Sequence, residues 1–424
     1  MPVAKTSITR SVSIWLLSLV LLGVALQSFF YTLLQSQGVS EHRAFWLTHL
    51  DELLLGIGAT WFMLLLPQTL WRRRLLTTDL WATLTLVFLV LTSFHHASFS
   101  WGLQGLRYCA LFILTYLAVR PVAAANLYRP LLFLTVIFSS LISLLALIER
   151  RLPLFYWSQI IPHFPTNWGW GNFTVIEAQR SVSLLAGPNQ LGSFLIPGLI
   201  FALQQAFHTK RWERFLWLMA SGLIGLGIVA SLSRAAWLGA AAALIYLVTA
   251  RSWKYFSPLI ITAILTVLIA LGLGLVQLSQ QPRFQSLIFH GSSQIEHQTS
   301  LSTALHTLAS RRNQPTVLLF GSGVGTAGPL SIKTGQASIP ESWYLQLLLE
   351  NGLVSLLAWL AFFGSLIRLS MRRNNVALAA ALIGLSVTAL FLHTFADNPA
   401  VAVMTAIFCA ITAATAPGAR EKVA

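Results

Sequence analysis

Apolar runs of ~17–25 residues recur along the chain, the length an α-helix needs to cross a hydrocarbon layer. In lipid every backbone N–H and C=O has to be satisfied within the protein, so only helices or closed barrels can span it. The runs do not alternate apolar and polar positions as barrel strands do. The fold expected is therefore all-α, a polytopic membrane helix bundle. Composition agrees: 56% of the 424 residues are hydrophobic and 9% are charged, against roughly 25% charged in soluble domains.

Twelve spans are expected, roughly at 11–34, 53–67, 79–94, 103–120, 131–148, 190–206, 213–230, 234–250, 257–277, 342–367, 375–394 and 399–416. The first run is too long for a cleavable leader and no small-residue cleavage site follows it, so it reads as a span. The formal net charge is +15, yet the basic residues stand singly or in short groups between spans, as at Arg72–Arg74, Lys210–Arg211 and Arg372–Arg373. They read as topology signals and not as a nucleic-acid surface. The short, basic loops alternate to one side, which is expected to be cytoplasmic along with both termini. The chain then divides at about 277 and 341. Nine spans come first, with an aromatic external segment at about 149–189 suited to the headgroup layer. An external loop subdomain follows at about 278–341, then three spans and a cytoplasmic tail over about 342–424. Cys109 and Cys409 both lie in apolar runs, so neither a disulfide framework nor a metal spacing is expected.

The residues able to do chemistry gather on the external side. Arg180 precedes the turn Gly187-Pro188-Asn189 at the start of the sixth span, and Arg234 opens the eighth in Ser231-Leu232-Ser233-Arg234-Ala235-Ala236-Trp237. A guanidinium stays charged and matches phosphate geometry, and helix N-termini favour anions. Glu341 follows Pro340 at the expected first turn of the tenth span. A carboxylate there is either a helix-start device or a general base. Glu350 lies nine residues on, within the same span. Gly321-Ser322-Gly323-Val324-Gly325-Thr326-Ala327-Gly328 has the glycine density of a phosphate nest, but lacks the lysine and the strand–helix setting of a nucleotide-binding loop. Asn189, Tyr344, Arg311, Arg312 and His297 complete the candidate substrate contacts. Asp397 is expected to cap the last span. His95 and His96 are external without other ligands near them in sequence, so no metal site is expected.

Three segments, in this order, resemble the O-antigen ligase and O-antigen polymerase superfamily of bacterial membrane glycosyltransferases. They are Arg180 with its downstream Gly187-Pro188-Asn189, the element Ser233-Arg234-Ala235-Ala236-Trp237-Leu238, and Leu319-Phe320-Gly321-Ser322-Gly323-Val324-Gly325-Thr326 followed by Glu341-Ser342-Trp343-Tyr344-Leu345-Gln346 and Glu350-Asn351-Gly352. The resemblance implies a donor glycan carried on undecaprenyl diphosphate, and transfer to a hydroxyl of a glycan, lipid or protein acceptor at the periplasmic face of the bacterial inner membrane. It implies an inverting reaction without metal or other cofactor, and no nucleic-acid partner. Arg180 and Arg234 match the family's diphosphate-holding arginines. The chain departs from the ligases in having Glu341-Ser342 where they carry a histidine followed by asparagine or a similar residue, which leaves the acceptor open. A polymerase of the same superfamily, a multi-span transporter and a non-catalytic lipid-glycan scaffold are the alternatives.

Overall fold

The structure, a computed structural model, describes residues 3–71, 76–93, 99–149, 160–163, 180–252, 291–328, 331, 339–396 and 398–414. Fourteen α-helices run through the described residues. They are α1 (Val3–Ser36), α2 (Glu41–Thr48), α3 (Leu50–Trp71), α4 (Thr77–Ser93), α5 (Phe99–Val119), α6 (Tyr128–Glu149), α7 (Pro188–His208), α8 (Arg211–Ala230), α9 (Arg234–Ser252), α10 (Gly291–Ser310), α11 (Pro315–Phe320), α12 (Trp343–Arg372), α13 (Val376–Thr388) and α14 (Pro399–Ala414). Among the described residues there is no strand. Eleven of the twelve expected spans coincide with a helix to within a few residues at most ends; the eighth expected boundary begins on the same residue, Arg234. The expected ninth span, at about 257–277, lies outside the described residues, as do His95, His96, Asp397 and most of the aromatic segment.

Among the described residues, five helices are long and apolar enough to cross a membrane, over Ser13–Ser36, Ala125–Glu149, Pro188–His208, Arg211–Ala230 and Trp343–Arg372, and six shorter apolar helices accompany them. The architecture is that of a helical membrane protein. Its centre is α14, buried from Ala400 to Ala413. A helix apolar all round belongs inside a bundle, and its alanines, valines and threonines let neighbours approach closely. The outer helices keep one apolar face uncovered, as at Trp15, Leu16 and Leu19 on α1 and Leu216, Leu218 and Met219 on α8. Such a surface suits lipid rather than water.

The tenth expected span is not one continuous helix. Gly352, with φ 76° and ψ 177°, breaks α12, and the backbone of α11 and its following turn fills the notch. A Cβ on Gly352 would come within 2.3 Å of Leu319 O, and one on Gly321 within 2.1 Å of Glu350 O. Only glycine permits that approach and the left-handed φ at both positions. The break strands the carbonyls of Leu349 and Glu350. Ser322 N–H donates to Leu349 O and Gly323 N–H to Glu350 O, each at 3.0 Å, so the orphaned acceptors are satisfied.

Candidate functional site

The N-termini of α7, α9, α12 and α14 meet on one face of the bundle, and hydrogen bonds tie their approach segments together. Glu149, in the last turn of α6, accepts from the N–H groups of Val182 and Ser183 at 2.9 and 2.8 Å. This carboxylate fixes the turn that carries Arg180. Ser181 N–H continues the tie by donating to Ala230 O at the end of α8. Gly187 ends the turn and Pro188 starts α7, as a ring with a preset φ and no N–H favours. The Arg234 turn is equally determined. Ser231 Oγ accepts from Ser233 N–H at 3.2 Å, Leu232 adopts a left-handed φ of 50°, and Ser233 Oγ caps α9 by accepting from Ala236 N–H. Gly192 lets α7 lie against this turn: a Cβ there would fall 2.5 Å from Ala236 Cβ and 2.9 Å from Ser231 Oγ.

The two arginines are thereby brought near enough for their charges to interact. Arg180 Nε donates to Ser231 O at 3.2 Å and Nη2 to Asn189 Oδ1 at 2.9 Å. Burial, and then the neighbouring Arg234 charge, pull the Arg180 pKa down to about 10, so it is still cationic at neutral pH. Arg234 is the first residue of α9, where the helix dipole is already positive. Both arginines are half-buried, and among the described residues neither forms an ion pair. Two neighbouring cations, one of them at a helix N-terminus, repel one another, and an anion between them would offset that repulsion.

Glu341 precedes α12 and is not in its first turn. Ser342 is the N-cap and no acid occupies the first turn. Glu341 instead takes a left-handed φ of 46°, a strained conformation for a residue with a Cβ, and is half-buried. Glu341 therefore stands one residue before the cap and not within the first turn where it was expected. Trp343 N–H donates to Ala389 O and Tyr344 Oη to Ser386 O at 3.2 Å, which dock this segment on the end of α13. A Cβ on Gly239, five residues beyond Arg234, would meet Thr388 Oγ1 at 2.1 Å. The last turn of α13 therefore stands between the Glu341 segment and α9. Asn398 closes the face: its Nδ2 donates to Gln190 O at 2.8 Å and its Oδ1 accepts from Val401 N–H.

No protein-family model matches the chain, and no curated protein matches it significantly.

The glycine-rich segment is a nest, but its occupant is the protein's own carboxylate. Glu350 Oε1 accepts from Gly325 N–H at 2.8 Å and Ala327 N–H at 3.2 Å, and Oε2 accepts from Gln346 Nε2 at 3.1 Å. Glu350 is fully buried. With the N–H groups of Gly325 and Ala327 taken by Glu350, the phosphate-nest reading is corrected. Arg311 joins the same construction, donating from Nη1 to Leu349 O at 3.2 Å, with its pKa lowered by burial. Arg312 is exposed in the turn before α11, and His297 lies on α10 with its side chain outside the described residues. Sequence reasoning missed Glu149, Gln346, His393 and Asn398. Glu149 left a trace as an acid at a helix C-terminus, where the dipole opposes it, and Gln346 only as the last residue of the segment that begins at Glu341.

Proposed function

We propose that this chain is a membrane glycosyltransferase that moves a glycan from an undecaprenyl-diphosphate carrier to an acceptor hydroxyl, as the O-antigen ligases and polymerases do. The observation that carries the reading is the Arg180–Arg234 pair, two adjoining cations without a carboxylate partner among the described residues. In the proposed reaction the acceptor oxygen attacks the anomeric carbon and forms the new glycosidic bond. The bond from that carbon to the diphosphate oxygen breaks, and the diphosphate leaves with the electron pair. Arg180 and Arg234 offset the charge that develops on it. Glu341 takes the acceptor proton as general base. Attack opposite the leaving group inverts the anomeric centre. Twelve spans, with the arginine face toward the periplasm of the bacterial inner membrane, complete the proposal. The basic loops on the opposite side support that orientation.

One observation favours a transporter instead: α12 is interrupted, and a buried carboxylate stands at the interruption, a pattern known from transport sites. Against it, Glu350 already accepts from two backbone N–H groups and an amide, and α12 is the only described helix with such a break. Purified protein in vesicles, supplied with lipid-diphosphate-linked glycan and candidate acceptors and read by mass, separates the readings. A covalent glycan–acceptor product supports transfer; solute uptake without product supports transport.

A further inference from the structure

His393 lies in the turn between α13 and α14 and is 7% exposed. Its Nδ1 stands 2.7 Å from Gln346 Oε1, and Gln346 Nε2 stands 3.1 Å from Glu350 Oε2. The far end of this chain orders its protons. Two backbone N–H groups donate to Oε1 of Glu350, and its Oε2 faces the Gln346 amide nitrogen. Gln346 then turns its amide N–H to Glu350 and its carbonyl oxygen to His393. A carbonyl only accepts, so His393 Nδ1 carries the hydrogen and Nε2 is left bare, as an acceptor.

That Nε2 has no hydrogen-bond partner among the described residues. Neither has Thr394 Oγ1, next in the turn, nor Trp343 Nε1, whose ring stands 5.1 Å from that of Phe395. His393, Thr394 and Trp343 are 7%, 3% and 1% exposed. Polar groups are seldom buried unmet, because leaving them so is costly. An acceptor, a hydroxyl and an N–H donor are thus left unmet on two elements of the face that carries Glu341. A ligand that both donates and accepts through several hydroxyls, such as a sugar ring, matches that set.

We propose that His393 Nε2 receives a hydroxyl of the acceptor glycan, with Gln346 and Glu350 acting through the ring as positioning residues. The assignment rests on the transferase reading. The two ring nitrogens can be tested separately. Asparagine sets its amide nitrogen near Nδ1 and keeps the bond to Gln346; glutamine reaches the Nε2 position and keeps an acceptor there. With a lipid-diphosphate-linked oligosaccharide as donor, His393→Asn is expected to lower kcat/KM for the acceptor about ten-fold or more, from the loss of one hydrogen bond. The donor KM should stay unchanged. His393→Gln should retain more transfer while melting at a lower temperature than His393→Asn. His393→Asn at wild-type efficiency, or His393→Gln no better than His393→Asn, overturns the assignment. Nitrogen-15 spectra of histidine-labelled wild type, assigned by the signals missing from His393→Asn, test it without turnover. Protonated Nδ1 and bare Nε2 are expected; a protonated Nε2 overturns it. If the wild type itself transfers nothing, the transferase reading fails and takes this hydroxyl with it, an outcome distinct from active wild type with an indifferent His393.

Discussion

The backbone N–H of Gly325 donates to the Glu350 carboxylate at 2.8 Å across the break in α12. That contact, repeated from Ala327, turns an intramembrane acid into a clamp for the glycine-rich segment. Glu350→Ala would leave both N–H groups buried and unmet, at about 1–3 kcal/mol each. Thermal unfolding in detergent should show a large loss of stability, and Glu350→Gln a smaller one, since its amide oxygen still accepts. An alanine variant as stable as wild type would show that the clamp does not hold the segment.

For the arginine pair, stability and turnover should move in opposite directions. Arg234→Ala removes a cation from a positive helix end and from beside Arg180, so melting temperature should hold or rise. Its transfer rate should fall by about 2–5 kcal/mol of transition-state stabilisation. Arg180→Ala should lose a comparable amount of activity but also some stability, since it breaks the bonds to Asn189 and Ser231. Lysine at either position should restore only part, because a point charge cannot fork. Normal transfer by an alanine variant would rule out the diphosphate clamp.

Inorganic pyrophosphate should raise the melting temperature of the wild type. At a hundred-fold excess over Kd, linkage gives about 2.7 kcal/mol of stabilisation. Added salt should weaken the effect by screening, and Arg234→Ala should abolish most of it. An equal shift in that variant would place the anion elsewhere.

Glu341 separates strain from chemistry. Glu341→Gly suits the left-handed backbone and should keep the protein folded while transfer collapses. Glu341→Gln keeps the shape and should lower turnover roughly 10²–10⁴-fold, the range of positioned acid–base catalysis. Glu341→His, which restores the ligases' residue, should leave measurable transfer that declines on acidification through pH ~6.5, where imidazole protonates. Undiminished turnover by Glu341→Gln would remove it from the mechanism.

The proposed orientation is open to cysteine labelling in intact cells. Cysteine in place of exposed Arg312 should react with an impermeant reagent at once, and cysteine in place of exposed Arg372 only after permeabilisation. The reverse pattern would invert the protein and remove the argument from the basic loops.

Hydropathy determined the helices, because an apolar run of sufficient length has no other way to satisfy its backbone in lipid. Local chemistry also determined their entries: Gly187-Pro188 before α7 and Ser233 before α9 behave as their residue types require. Arg234 was legible for the same reason, since it opens a helix start readable on its own; Arg180 stands in the turn ahead of α7, and only tertiary packing brings it near Arg234. Other relationships join residues far apart in the chain. Whether the glycine-rich segment would hold a phosphate or a side chain depended on what reached it, and the tertiary structure supplied Glu350, 25 residues from Gly325. The break at Gly352 follows from that docking and not from local propensity, since a glycine within a span is compatible with an unbroken helix. His393 reads in sequence as one polar residue near a helix end; its tautomer and its bare nitrogen follow only from Gln346, 47 residues away. Sequence settles what each segment can satisfy by itself, and packing settles which partner meets each polar group that a segment leaves over.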